Sequence, residues 1–384
     1  MREVWIWQNI ISPHIAGLAV ALARQGCAVT YVAEMTMSAD RVRQGWSAPD
    51  LSGVNLRIAD QESAVAELVH EASATSIHIC QGIRDNGLVG FAQAQLTERG
   101  LRQWVVMETV WDSGAIGVLK RLEYRRLFAR DYASLQGVLA TGHRTAEWVV
   151  ARGLPAEKVF PFAYFLPDEQ TEAGNSSETS GPYRFVFAGQ LIPRKRLDWL
   201  IDALADVEDC TFELWVVGKG EDESALGNLA TRKLGDRVRW LGQFPIADVS
   251  KVMAQADCLV LPSVHDGWGA VASEAMMQGT PVVCSDACGV AGAVLASGVG
   301  GVFKVNDRLG LRNQLARHVA QGKVTAEGRA RLATWAKCLG ASAGAGYLLD
   351  ILDYTDIHRV ERPVPPWLER MVPCADLQSH CGQL

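Results

Sequence analysis

An α/β protein built from two doubly wound domains in tandem is what this sequence predicts, and three observations carry the prediction. Apolar runs of strand length alternate with helix-length segments from Val4 to Leu261, the signature of strand–helix–strand units. One acidic stretch with little to bury, Glu169 to Pro182 (EQTEAGNSSETSGP), breaks the alternation, which then restarts. At 384 residues and 48% hydrophobic content the chain can fill two cores. The strand ends of two such domains are expected to face each other across a cleft, where substrates are most often held.

The first domain is expected over residues 1–168. Val4 to Trp7 reads as a buried strand, Gln8 to His14 as a polar loop, Ile15 to Arg24 as a helix closed by Gly26, and Ala28 to Val32 as a second strand. Gln8, Asn9, Ser12 and His14 interrupt the apolar start, so it reads as strand, loop and helix and not as a signal peptide. The loop lacks GxGxxG, which speaks against a nicotinamide or flavin cofactor. Ligands gather at strand ends in such sheets, making Asn9, Ser12 and His14 contact candidates beside the plainer reading of a solvated loop.

Ile77 to Cys80 and Trp104 to Met107 read as further strands, followed by the turns Gln81 to Asn86 and Glu108-Thr109. Ile116 to Leu135 reads as a long helix with Tyr124, Phe128, Tyr132 and Leu135 on one face. Lys120, Arg121, Arg125, Arg126 and Arg130 make it the most basic stretch, a membrane-surface or phosphate-binding helix or simply a solvated one. Val138 to Thr141, Thr145 to Arg152 and Val159 to Tyr164 complete the domain as strand, helix and strand.

After the 169–182 linker, residues 183–340 repeat the alternation. Strands are expected at Arg184 to Ala188, Thr211 to Val217, Val238 to Leu241 and Cys258 to Leu261. Helices are expected at Leu197 to Ala205, Ser224 to Leu234 and Asp248 to Ala256. Alanine-rich helices then run over Leu309 to Gln321, Ala326 to Leu339 and Ala345 to Tyr354. Within residues 341–384, Tyr347 to Tyr354 is expected to cross back onto the first domain, and the proline-containing tail from Arg362 to pack across the domain junction through Trp367.

Chemistry concentrates in two stretches of the second domain. Gly189 to Arg196 (GQLIPRKR) presents cations at a strand end, a pattern that suits phosphate, although a basic loop neutralised by counterions has the same composition. Val264 to Val283 (VHDGWGAVASEAMMQGTPVV) places Asp266 before a helix and Glu274 inside it, with Gly267 and Gly269 leaving backbone amides uncovered. A helix starting near Gly269 sets the two carboxylates on the order of 10 Å apart, wide enough to serve two ends of one elongated ligand. The helix N-terminus between them favours an anion. A diphosphate with a hydroxyl-rich group at each end satisfies all of these features.

Six segments in register between Tyr183 and Asp307 carry a family resemblance: GQLIPRKRLDWLIDAL, WVVGKGE, DRVRWLGQF, ADCLVLPS, DGWGAVASEAM and GTPVV. Together they resemble glycosyltransferase family 4, retaining nucleotide-sugar transferases of the GT-B fold. The resemblance implies a hexosyltransferase-type enzyme with no cofactor and no metal. It would move a sugar from a nucleoside diphosphate, UDP or GDP, to the hydroxyl of a glycan, lipid-linked or other acceptor in cell-surface polysaccharide or glycoconjugate biosynthesis. It implies that Gly189 opens a phosphate loop in which Lys195 binds the donor diphosphate. Gly267, Trp268 and Gly269 would present amides, and Glu274 would hold the ribose hydroxyls. Asp266, where the family more often has Glu, would contact the transferred sugar and stabilise charge at its anomeric carbon.

Gln190 stands where the family often has Arg, leaving Arg194 or Arg196 to supply that cation. His78-Ile79-Cys80-Gln81 resembles the family's histidine-containing strand end, with Cys80 in place of a second His. The acceptor-side candidates are therefore Ser12, His14, His78 and Glu108.

A net charge of −6 gives no electrostatic reason to expect nucleic acid. Nine cysteines without a CxxC pair fit buried free thiols in a reducing, cytoplasmic compartment. The basic helix is the place for peripheral attachment at the inner membrane face. Beside the transferase stand a sugar-nucleotide epimerase of the same fold, a pyridoxal-phosphate phosphorylase of similar architecture, and a silent nucleotide-binding partner subunit suggested by Gln190 and Asp266.

Overall fold

The computed structural model describes residues 1–38, 41–42, 48–84, 86–168, 181–207, 211–357 and 361–369. Most of the expected linker, including Asn175-Ser176-Ser177, whose sequence matches a glycosylation acceptor, lies outside these residues, as do Asp85 and Pro373 of the tail. Contacts divide the chain into one unit of Met1–Glu169 with Leu339–Pro363 and another of Gln170–Cys338 with Val364–Leu384.

The first unit runs β1 (Glu3–Ile10), α1 (Pro13–Arg24), β2 (Ala28–Met35), β3 (Asn55–Ile58), α2 (Glu62–Glu71) and β4 (Ile77–Gln81). It continues with α3 (Gly87–Glu98), β5 (Arg102–Glu108), α4 (Gly114–Asp131), β6 (Leu135–Thr141), α5 (Thr145–Val150) and β7 (Val159–Phe162). Its strands form a parallel sheet in the order β3-β2-β1-β4-β5-β6-β7. Parallel sheets carry helices on both faces, so their strands must be apolar on both. Trp7, Cys80, Val105, Val138 and Val159 share one row of the register and are all buried. β3, α2 and α3 have no counterpart among the sequence expectations. β3 is an edge strand whose NLRI side chains are largely exposed, so it carries no apolar signature.

The long basic helix is shorter than expected. α4 starts at Gly114 and stops at Asp131, and Leu135 opens β6. Tyr124 and Phe128 alone form its aromatic face, because the chain turns at residues 132–134, where the Ser134 amide donates to Asp131 O at 3.2 Å. Tyr132 is exposed and carries the Lys158 ammonium 4.3 Å above its ring.

The second unit runs β8 (Tyr183–Ala188), α6 (Leu197–Ala205), β9 (Phe212–Val217), α7 (Glu223–Leu234), β10 (Val238–Gly242), α8 (Ile246–Gln255) and β11 (Cys258–Leu261). It continues with α9 (Ala270–Met277), β12 (Val282–Ser285), α10 (Ala291–Ala296), β13 (Gly301–Phe303), α11 (Arg308–Gln321) and α12 (Ala326–Ala336). Its parallel sheet has the order β10-β9-β8-β11-β12-β13 around a core that includes Phe185, Phe187, Leu200, Leu214 and Val260. This is a Rossmann-like α/β unit, as is the first.

α13 (Ala341–Ile357) returns to the first unit and packs on α1. Tyr347 Oη donates to Pro161 O at 3.0 Å, and Asp353 pairs with Arg2 at 2.7 Å. α14 (Pro366–Glu369) belongs to the second unit, where Trp367 is buried with its ring centroid 6.0 Å from that of Trp268. Among the described residues no helix is long and apolar enough to cross a membrane.

Candidate functional site

In the second sheet the chain leaves β8 toward β9 but leaves β11 toward β12, so the connections of two neighbouring strands diverge. Such a switch point opens a crevice at the strands' carboxyl ends. The two chemistry-bearing stretches lie there, one following β8 and the other following β11.

The loop after β8 is shaped by the one after β9. The Gly189 amide donates to Val217 O at 3.0 Å and the Leu191 amide to Lys219 O at 3.0 Å. A Cβ on Gly218, whose φ is +136°, would lie 1.9 Å from Gly189 O. Sequence reasoning missed Gly218 as a site-shaping residue, although the GKGE motif was its signal. Pro193–Lys195 forms one 3-10 turn. From it the Arg194 guanidinium donates to His265 O at 2.6 Å, and the Val264 amide donates to Arg194 O at 3.0 Å. Lys195 Nζ meets Asp266 Oδ2 at 2.5 Å, with the two side chains only 14% and 15% exposed. The cations near Gln190 are thus engaged: Arg196 pairs with Asp198 at 3.0 Å and stacks on Trp199. Arg196 does so from a left-handed backbone (φ 54°), a conformation that costs a non-glycine residue about 1 kcal/mol or more.

The loop after β11 is braced by residues 287–290. Asp266 and Cys288 form a β-bridge, the Gly289 amide donates to Asp266 O at 3.0 Å, and the Val290 amide to Trp268 O at 2.8 Å. Trp268 turns its indole into the core, donating to Ser273 Oγ at 3.0 Å. Gly269 holds the left-handed N-cap of α9 at φ 90°, which only glycine adopts without strain. The amides of Gly267, Trp268 and Gly269 have no protein acceptor among the described residues. Three successive such amides at a helix N-terminus make a site for an anion. Glu274, half-buried on α9, makes no side-chain hydrogen bond among the described residues, and burial pushes its carboxyl up to about 7.

Of its four candidates the first unit links His14 and Glu108 through one residue, Tyr164. Ser12 precedes α1 and its amide donates to Tyr31 Oη at 3.1 Å. His14 stacks on Tyr164 with ring centroids 5.1 Å apart, and burial, helped by Arg41, lowers its pKa to about 4. Tyr164 is hydrogen-bonded to Glu108, at the carboxyl end of β5, so His14 and Glu108 share one partner. His78 lies within β4, which ends at Gln81, and is fully buried. Its Nδ1 accepts from Trp7 Nε1 at 3.0 Å and its Nε2 lies 2.8 Å from Ser76 Oγ, so both ring nitrogens are occupied. Gln81, whose Oε1 accepts from the Asn9 amide at 3.1 Å, is the polar residue at that end.

Known proteins resemble the chain in sequence and in fold. Residues 182–321 match the family model described as "Glycosyl transferases group 1". An uncharacterized glycosyltransferase of Methanocaldococcus jannaschii is 30% identical over 124 residues, which is 32% of this chain and 34% of that protein. A phosphatidyl-myo-inositol mannosyltransferase of Mycobacterium leprae is 38% identical over 100 residues, 24% of this chain and 25% of that protein. The matches thus span about a third or less of those relatives' length. The crystal structure of Anabaena Alr3699/HepE in complex with UDP aligns with a TM-score of 0.70 at 17% identity, covering 92% of this chain and 100% of that one. The fold is that of GT-B glycosyltransferase structures, and within the second unit residues 182–321 are similar to the group 1 glycosyl transferases.

Proposed function

We propose that the chain is a retaining, hexosyltransferase-type glycosyltransferase of family 4, moving a sugar from a nucleoside-diphosphate donor to a hydroxyl acceptor. One observation carries the reading. Lys195 and Asp266 meet across the switch point beside three amides without protein acceptors, at the start of the helix that holds Glu274. In the proposed reaction the departing diphosphate gains negative charge, and Lys195 with the amides stabilises it. Lys195 exchanges Asp266 for a phosphoryl oxygen, and Asp266 then faces the positive charge growing at the anomeric carbon. Glu274 accepts hydrogen bonds from the ribose hydroxyls, and Arg194 holds the two loops together through His265 O.

The finer terms belong to the same proposal. Residues 183–340 are assigned to the donor and 1–168 to the acceptor, with Ser12, His14 and Glu108 on the acceptor side. UDP is favoured as the nucleotide because the Anabaena protein was solved with it. A glycan or lipid-linked acceptor in polysaccharide or glycoconjugate synthesis is suggested by what the mycobacterial relative is named for. A cytoplasmic location with peripheral attachment at the inner membrane face belongs to the same proposal, and the six described cysteines, all buried and none in a disulfide, fit such a reducing compartment.

A thermal-shift series with UDP-, GDP-, ADP- and TDP-sugars tests the reading, since a ligand that binds only the folded state raises its melting temperature by mass action. A shift with UDP- or GDP-sugars that Lys195→Ala loses is expected. No shift with any of the four contradicts it.

A further inference from the structure

α4 turns one side to the protein, where Gly117, Tyr124 and Phe128 are buried. At 3.6 residues per turn the opposite side is Ala115, Leu119, Leu122, Arg126 and Ala129, and all five are exposed. The outermost line of the helix is therefore apolar along its first half. Leu119 is 68% exposed and Leu122 50%; Ile116 at 70% and Trp111, just before the helix, at 49% widen the patch. Exposed apolar side chains are ordinary when scattered, but five large ones within twelve residues, Val118 included, mark a contact surface.

The charges around the patch indicate what it contacts. GAIGVLKRLEYRRLFARD holds five basic and two acidic residues, a formal +3, in a chain whose net charge is −6. Arg121 is held by Asp112 and Arg130 by Asp131, while Arg125 and Arg126 make no ion pair among the described residues. A helix that lies on a bilayer needs an apolar line facing the lipid and cations at its flanks, whose long stems reach back to the headgroups. A tryptophan at the rim suits the same interface, being apolar in body and polar at its N–H.

We infer that α4 is a membrane-docking helix, seating Leu119 and Leu122 in the outer acyl region of an anionic phospholipid surface with Arg125 and Arg126 on its headgroups. The inference gives the peripheral attachment proposed above a surface and a lipid class. It rests on that attachment but not on the transfer reaction, because every residue it uses lies in the first unit and outside the donor site.

The test is sedimentation of the full chain with vesicles of phosphatidylcholine alone and with about one-third phosphatidylglycerol. Binding to the anionic vesicles is expected, about tenfold or more tighter than to neutral ones and weakened by salt, as for a few cations near a charged surface. Leu119→Asp with Leu122→Asp should lower it about tenfold or more, and Arg125→Glu with Arg126→Glu should remove the preference for anionic lipid. Thermal shift by UDP-sugar, read on the same samples, should be unchanged in both variants, which confirms that they fold and separates this outcome from a failure of the donor site. Equal vesicle binding by wild type and the leucine variant overturns the inference. So does absence of binding to anionic vesicles, or a lipid-free dimer that the leucine variant converts to monomer, since the patch would then face a second copy.

Discussion

Glu274 is the residue whose chemistry is most altered by its surroundings. Burial raises its carboxyl to about 7, so near neutral pH it is part protonated. An ionised carboxylate accepts hydrogen bonds from hydroxyls about twice as strongly as a neutral acceptor. Nucleotide affinity should therefore rise as pH increases through 7, by about three- to tenfold between pH 6 and pH 8, and Glu274→Gln should be weaker and lack that component. Titration calorimetry with UDP at the two pH values reads both. The same shift has a stability sign. A raised carboxyl pKa means the folded protein binds the extra proton between pH 4.5 and 7, so this group stabilises at acid pH and loses that contribution as pH rises toward 7. Glu274 was legible in the sequence as a helix residue of an anion site, but its isolation from other polar groups was not. His78 shows the converse limit. Its type suggested chemistry and its strand was legible, but the Trp7 partner that occupies its Nδ1 lies 71 residues away in sequence and could not be read locally.

At the scale of elements, the loops after β8 and β9 depend on close backbone approach more than on side chains. Gly218→Ala places a methyl on Gly189 O and leaves an alanine at φ +136°, so about 2 kcal/mol or more of stability should be lost. On the proposed function, displacing the loop after β8 should also weaken nucleotide binding. Urea unfolding and the UDP thermal shift measure the two effects, and a variant as stable and as responsive as wild type contradicts the packing described. The strands of the second unit were readable because most are buried on both faces and give continuous apolar runs, as in CLVL of β11. The end of α4 was not, because Tyr132 and Leu135 continue a helical spacing past the turn in which the chain enters β6. Its outward apolar line was hidden for a related reason. Five cations around a helix look evenly spread until the buried side is known from Tyr124 and Phe128.

For the whole molecule, three histidines set the response to acid. Burial lowers His14 to about 4, His78 to about 3 and His318 to about 4. The unfolded chain takes up these protons near pH 6.5 and the folded chain does not, so the stability they confer is present above 6.5 and lost as pH falls toward 4. Each costs about 1.4 kcal/mol per pH unit across that window, outweighing the single opposing contribution of Glu274. Two of the three sit in the first unit, which should melt first on acidification. Melting curves at pH 7 and pH 5 should show a fall that His78→Gln reduces, relative to its own value at pH 7. An unchanged midpoint contradicts the assignment of these rings as neutral and enclosed. The tandem plan of two doubly wound units was legible from alternation alone. The allocation of the C-terminal segments was less so: α13 joins the first unit through buried contacts with α1, while Trp367 joins the second beside Trp268, and both partners are distant in sequence.

The central claim is that Lys195 stabilises a departing nucleoside diphosphate at the β8–β11 switch point. Its most direct test is the rate of UDP release from UDP-sugar by Lys195→Ala against wild type, with the anomeric configuration of the product followed by NMR. The claim predicts a loss of about a hundredfold or more in turnover, as for other groups acting on transition-state charge, and a product that keeps the donor's configuration. Near-normal turnover by Lys195→Ala, at a folded stability equal to wild type, would contradict it.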